Sequence, residues 1–109
     1  MARRPTKENE EGIPIRIRVG IPEYSLVANR IGREHVSREE NADGKPRFYV
    51  VSEDARHLEE RILGVLEHLR NQPPEPIVTL QAKANGQLRA ASRLSEMVGE
   101  ALQERMAAA

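Results

Sequence analysis

A short basic segment has residue types and spacing suited to binding an anion. Its members are Lys83, Asn85, Gly86, Arg89 and Arg93. Arg89 and Arg93 are four residues apart and therefore share one face of any helix. A polar turn that opens a helix exposes unbonded backbone amides, which bind phosphate well. The spacing predicts a phosphate-binding turn at residues 84–86. The alternative is that these arginines are ordinary solubilising residues.

A second basic pair lies near the start of the chain, in the stretch IPIRIRV at residues 13–19. Isoleucine and valine alternate there with Arg16 and Arg18, which is typical of a strand with one solvated face. If that face converges with the start of the last helix, Arg16 and Arg18 would extend the basic patch toward a phosphate backbone.

Residues that could catalyse a reaction or bind a metal are few and scattered. The chain has no cysteine, and its three histidines are His35, His57 and His68. His57 and His68 lie on one predicted helix, about 16 Å apart by helical rise, which is too far to share a metal ion. Neither a glycine-rich phosphate loop nor a cofactor motif of known spacing is present. We therefore expect neither an enzyme nor a metal or cofactor.

Length and charge set further limits on the chain. Its 109 residues suffice for one domain, and 17 basic residues balance 17 acidic ones. Zero net charge is weak support for general binding to nucleic acid, which depends on neutralising phosphates. We found no apolar run long enough for a membrane span and no secretory signal, so we expect a cytoplasmic protein. Residues 1–12 are charged and predict a disordered tail, and residues 13–109 predict one α+β domain.

Hydrophobic periodicity divides the domain into strands and helices. The predicted elements are a strand at 13–19, a strand or helix at 24–31, a loop at 32–46 with an Asp-Gly turn, a strand at 47–51, a helix from Ala55 to Leu69 capped by Ser52 or Asp54, a strand at 77–83, and a helix from the turn to about residue 106. Two strands joined by a helix are normally parallel neighbours. This order predicts a two-layer sandwich, with a mixed sheet and two helices on one face.

The segments FYVVSEDARHLEERILGVLEHL and PIVTLQAKANGQLRAASRLSEMVGEAL resemble the Alba family of small nucleic-acid-binding proteins. The run LSEMV and the turn AKANGQLRAAS are similar to motifs of that family, and the strand IRIRV is similar to one found early in some members. The resemblance covers about residues 47–102. It implies a β-α-β-α core preceded by one or more N-terminal strands, a dimer, and binding of RNA or DNA with little base specificity.

Two departures from the family pattern keep a second function open. The loop after the first core strand is basic in the family but is Ser52-Glu53-Asp54 here, and the two closing strands of the family are missing after Leu102. The first hypothesis is a dimeric protein that binds RNA or DNA by backbone contacts. The alternative is a neutral dimeric interaction module, or a subunit of a larger ribonucleoprotein assembly without nucleic-acid contact of its own. For a homodimer or heterodimer, we expect an interface through Met97, Ala101 or Leu102.

Overall fold

The computed structural model describes residues 12–108, so the tail predicted at residues 1–12 lies outside the described residues except for Gly12. The elements in chain order are β1 (Ile15–Val19), α1 (Ile21–Arg30), a 3₁₀ turn (Arg33–His35), β2 (Val36–Glu40), β3 (Pro46–Ser52), α2 (Ala55–Arg70) and α3 (Val78–Ala108). The α+β class is confirmed. The described residues form three α-helices, where the sequence predicted two.

The three strands form an antiparallel sheet in the order β1-β3-β2. Val50 lies in the middle of β3, opposite Ile17 on one side and Val36 on the other. The side chains of Ile15, Val19 and Val50 are buried in the core that the helices share. The short apolar strand RFYVV therefore takes the central position that its composition predicted.

Strands β2 and β3 form a hairpin. Its Asp-Gly turn is confirmed, whereas its first strand was not predicted. Gly44 has φ of +82°, a left-handed conformation that favours glycine, and the Asn41 amide donates to the Lys45 carbonyl at 2.9 Å. Residues 36–40, VSREE, were predicted as loop because their charges hide the strand pattern. They form an edge strand, and charged side chains are typical of such edges.

Helix α1 settles the segment 24–31, which the sequence left open between strand and helix. It begins after Gly20, with Pro22 in its first turn and Glu23 one residue later. The Gly20 amide donates to Glu23 Oε1 at 3.0 Å, which satisfies one of the unbonded amides at the helix start. Leu26 and Val27 are buried and fix the helix against the core.

Helix α2 begins and ends as predicted. The Asp54 side chain accepts from the amides of Arg56 and His57, so Asp54 is the N-cap. The residues buried along its inner face are Ala55, Leu58, Ile62, Leu66 and Leu69. The helix ends at Arg70, and the proline-rich connection before α3 prevents its continuation.

Helix α3 corrects the largest error of the sequence prediction. Residues 78–83 are helical, and the helix continues without a break through Asn85 and Gly86. The parallel strand pair expected there does not form, and the β-α-β-α arrangement is not confirmed. The stretch contains leucine, glutamine, alanine and lysine, which are strong helix formers. Its apolar residues also fit helical spacing, because Leu80, Ala84 and Leu88 recur every four residues.

Helices α2 and α3 pack as an antiparallel pair. A Cβ atom at Gly99 would lie 3.4 Å from Glu59 Oε2, so the start of α2 lies beside the C-terminal half of α3. Ala91, Leu94, Val98 and Leu102 form the buried stripe of α3. The end of α2 therefore lies near the middle of α3, and the first turns of α3 extend past it.

Candidate functional site

A cleft of about 460 Å³ lies between α1 and the N-terminal half of α3. Helix α1 contributes Pro22, Glu23, Ser25, Leu26, Asn29 and Arg30, and helix α3 contributes Lys83, Gly86, Gln87, Arg89, Ala90 and Arg93. We call it the α1/α3 cleft. Positions on α3 at steps of three and four residues share one helical face, so its cations line the cleft over about 15 Å of helix.

The cleft brings together four of the residues that the sequence singled out, namely Lys83, Gly86, Arg89 and Arg93. Asn85 does not line it, and its Oδ1 instead accepts from Gln81 Nε2 at 3.0 Å. Sequence reasoning missed the contribution of α1. Arg30 is visible in the sequence, but the pattern at residues 24–31 fits a strand as well as a helix. Its place beside Gln87 of α3 depends on the helix.

The predicted mode of anion binding is wrong in one respect. Residues 84–86 lie inside α3, so their backbone amides are bonded within the helix and do not face a ligand. Asn85 is consequently not an N-cap. Any anion in the α1/α3 cleft must be bound by side chains.

The cations of the cleft differ in how strongly they are already bonded. Arg30 donates to Gln87 Oε1 through Nη2 at 2.7 Å and through Nε at 3.2 Å. Arg93 Nη1 lies 3.7 Å from Glu23 Oε2, and the arginine side chain remains 60% exposed. Lys83 and Arg89 have no ion pair within residues 12–108. Lys83 and Arg89 are therefore the two cations of the cleft that are best placed to meet an anion.

Glu23 is the acidic residue of the cleft, and its side chain is only 2% exposed. Its position in the first turn of α1 places the carboxylate near the positive end of the helix dipole. Oε1 accepts from the Gly20 amide, whereas the nearest cation to Oε2 is Arg93, beyond hydrogen-bond distance. The cleft thus combines basic side chains with one buried acceptor.

Arg16 and Arg18 do not join the α1/α3 cleft. They alternate along β1 with Ile15 and Val19, which face the helices, so the two arginines lie on the opposite face of the sheet. The Arg16 guanidinium lies 3.8 Å from the centre of the Tyr49 ring and forms an ion pair with Glu39. The sequence predicted one basic patch if β1 and α3 converged. In the structure, Arg16 and Arg18 lie on a different surface from the α1/α3 cleft.

The histidines form no metal site in the part of the chain that the structure describes, and no group of three or more metal-ligating side chains occurs there. His35 Nδ1 lies 3.2 Å from the Val51 carbonyl oxygen, and His68 Nε2 lies 3.1 Å from Gln72 Nε2. None of the helices between residues 12 and 108 has the length and apolar character needed to cross a membrane.

Comparison of the chain with protein-family models, with curated proteins and with solved structures finds no match.

Proposed function

We propose that this protein binds RNA or DNA, mainly through phosphate contacts, in the α1/α3 cleft. The observation that carries the proposal is the convergence of Arg30, Lys83, Arg89 and Arg93 on one cleft whose lining has a single acidic residue. A chain of zero net charge has no general attraction for nucleic acid. Its basic residues attract phosphates only where several of them lie together, as they do in this cleft.

The charge distribution along α3 supports the same proposal. Residues 78–93 hold Lys83, Arg89 and Arg93 and no acidic residue. The first turn of α3 also carries no acidic residue. This half of the helix therefore has three positive charges and no negative one, and a phosphate bound by these side chains would supply negative charge.

The test is a binding titration with labelled RNA and DNA of mixed sequence, single-stranded and duplex, at several salt concentrations. We compare wild type with the double variant Lys83→Ala/Arg89→Ala. Each lost phosphate contact reduces the salt slope by about 0.9 for a duplex and about 0.7 for a single strand. We expect the double variant to lose close to two contacts and to bind all sequences more weakly.

The matched control is Arg56→Ala/Arg105→Ala, which removes the same charge at exposed positions of α2 and of the end of α3. We expect its salt slope to equal that of wild type. The proposal is rejected if wild type binds none of these nucleic acids, or if the two double variants lose affinity equally.

A second candidate function, a dimeric interaction module, is favoured by a different observation. Where α3 extends past α2, Ile77 is 56% exposed, Val78 is 83% exposed and Leu80 is 45% exposed. We call residues 77–84 the overhang. Ile77, Leu80 and Ala84 continue the spacing of the buried stripe beyond the core. An apolar helical stripe of this kind is a typical contact between helices.

We propose a second copy of this chain as the partner of the overhang. Between residues 71 and 82 the only charged residue is Glu75, and Lys83 follows directly, so two copies can approach without like charges facing each other. An antiparallel crossing centred on Leu80 brings Ile77 of one copy near Ala84 of the other. It also brings each Glu75 within about one helical turn of the opposite Lys83.

The interface first expected, through Met97, Ala101 or Leu102, is partly covered by the chain itself. Leu102 is buried, and Met97 and Ala101 pack against the core of their own chain. Analytical ultracentrifugation at micromolar concentrations tests the overhang instead, with Ile77→Ser/Leu80→Ser against the control Leu63→Ser/Met106→Ser. We expect dimers of wild type and control and monomers of the overhang variant. A monomeric wild type, or a dimeric overhang variant, excludes this interface.

A further inference from the structure

The inner wall of the α1/α3 cleft holds a buried acceptor that lacks a donor. Glu23 is 2% exposed, and the Gly20 amide occupies its Oε1 at 3.0 Å. No donor within residues 12–108 lies at hydrogen-bond distance from Oε2, since Arg93 Nη1 is 3.7 Å away. Buried polar atoms in folded proteins are nearly always hydrogen-bonded, so this carboxylate oxygen beside a cleft is available to a donor from water or from a ligand that displaces the water.

The surroundings of this oxygen restrict the chemistry of such a ligand. The ligand must carry a hydrogen-bond donor for Glu23 and negative charge for Lys83 and Arg89, which line the same cleft. A nucleotide can supply both, because cytosine, adenine and guanine carry exocyclic amino groups and the phosphate is an anion. The volume of about 460 Å³ lies within the usual range for small-ligand sites, roughly 300–1,000 Å³.

We infer that the cleft takes one unpaired nucleotide whose base bears an exocyclic amino group, and that this group donates to Glu23 Oε2. The inference rests on the proposed nucleic-acid function and adds a base preference to it. Cytosine and adenine present amino donors at the position where uracil and thymine present a carbonyl oxygen. Uracil and thymine offer a ring N–H instead, but it lies between two carbonyl oxygens that a carboxylate repels, so uridine should be disfavoured.

The base must also be unpaired. In a duplex one amino hydrogen of cytosine or adenine is engaged in base pairing and the other lies in the major groove, which a carboxylate buried in the wall of a cleft cannot enter. Duplex nucleic acid would still meet the cations of the cleft through its phosphates. The preference for amino-bearing bases should therefore appear in single strands and disappear in duplexes.

The experiment uses the full chain and three labelled RNA oligomers of equal length, oligo-C, oligo-A and oligo-U. We expect wild type to bind oligo-C and oligo-A roughly tenfold more tightly than oligo-U, the scale of one good base contact. The test variant is Glu23→Gln, whose amide oxygen can still accept from Gly20. Its amide nitrogen then replaces Oε2 with a donor, so the preference should vanish or turn toward uridine.

The possible outcomes separate this inference from the proposed function. Binding of all three oligomers with equal affinity overturns the base preference and leaves the phosphate cleft standing. Retention of the preference by Glu23→Gln, or absence of binding to all three, also overturns the inference. The proposed function itself is rejected only if the mixed-sequence RNA and DNA do not bind either.

A second measurement on wild type does not depend on the folding of the variant. Cytidine and uridine monophosphate are titrated onto ¹⁵N-labelled protein while amide resonances are followed. We expect cytidine monophosphate to shift the Gly20 amide and residues of the α1/α3 cleft at lower concentration than uridine monophosphate does. Equal shifts by both nucleotides, or shifts confined to other surfaces, overturn the inference.

Discussion

The two halves of α3 have different surroundings although they form one helix of 31 residues. In the C-terminal half, Leu94 and Val98 are fully buried against the rest of the domain. In the N-terminal half, Val78 and Leu80 are exposed, and the basic residues line the cleft with α1. The difference arises because α2 ends at Arg70 and the first turns of α3 extend past it.

The two halves of α3 also differ in net charge. Residues 78–93 carry three basic residues and no acidic one, giving +3. Residues 94–108 carry Glu96, Glu100, Glu104 and Arg105, giving −3 + 1 = −2. This arrangement opposes the helix dipole, which favours anions at the N-terminus and cations at the C-terminus. The C-terminal half is held by packing, and the N-terminal half carries charges that do not stabilise the helix through its dipole.

The largest expected difference between the halves is in core packing. Leu94→Ala removes a fully buried side chain and should lower the free energy of unfolding by about 2–5 kcal/mol. Leu80→Ala changes a side chain that is 45% exposed and should alter it by no more than about 0.5 kcal/mol. Urea denaturation followed by circular dichroism measures both variants. Equal losses, measured at a protein concentration that keeps the chain monomeric, would show that the overhang is packed within the monomer.

A smaller difference is expected at the two glycines of α3. A Cβ atom at Gly86 would meet nothing within 4 Å, so Gly86→Ala should stabilise the protein by about 0.5–1 kcal/mol through the lower backbone entropy of the unfolded chain. A Cβ atom at Gly99 would lie 3.4 Å from Glu59 Oε2, which should reduce the gain from Gly99→Ala. Thermal melts rank the two variants, and the opposite order would contradict the open space beside Gly86.

The smallest expected difference comes from adding one negative charge to each half. Gln81 lies in the first turn of α3, where its Oε1 accepts from the Glu75 amide at 2.8 Å. Gln81→Glu keeps that acceptor, and Asn85, whose Oδ1 accepts from Gln81 Nε2, can turn its amide group to donate instead. The new anion at the positive end of the helix should then add about 0.3–1 kcal/mol of stability. The matched change Gln103→Glu lies near the other end and should be neutral or slightly destabilising.

Binding provides the check on the last comparison, because the two substitutions add the same charge. We expect Gln81→Glu to weaken nucleic-acid binding modestly, because its carboxylate lies within the range of unscreened electrostatic interaction with Lys83, although the two side chains point to different faces of the helix. Gln103→Glu should leave binding unchanged. Equal effects on affinity would mean that net charge, rather than the α1/α3 cleft, determines binding.

The sequence predicted best those elements that local patterns specify. The alternation in β1, the Asp-Gly turn and the Asp54 cap each depend on neighbouring residues, and the structure contains all three. The prediction of a strand at 77–83 was wrong because the alternation of Val78, Leu80 and Ala82 occurs in helices as well as in strands. The helix-forming composition of the segment favours a helix, and no strand among residues 12–108 pairs with it, which is a tertiary fact that the local pattern does not contain.

The candidate site was partly predictable for the same reason. Lys83, Arg89 and Arg93 could be grouped from their spacing alone, because residues on one helix face keep fixed separations. Glu23 and Arg30 come from α1, which is remote in sequence from α3, and no local pattern indicates that the two helices meet. The separation of Arg16 and Arg18 from the cleft likewise depends on which face of the sheet the helices cover.

The position of β1 in the sheet also bears on how the protein folds. Strand β1 pairs with β3, which lies beyond α1 and β2 in the chain, whereas β2 and β3 are joined by a tight turn. Long-range pairing requires a larger loop to close, and it is therefore slower to form than a hairpin. We expect β1 to dock late, so that Ile15→Val mainly accelerates unfolding while Gly44→Ala, at the hairpin turn, mainly slows folding. Stopped-flow chevron plots of the two variants would reveal that order, and a slower folding arm for Ile15→Val would show that β1 belongs to the nucleus.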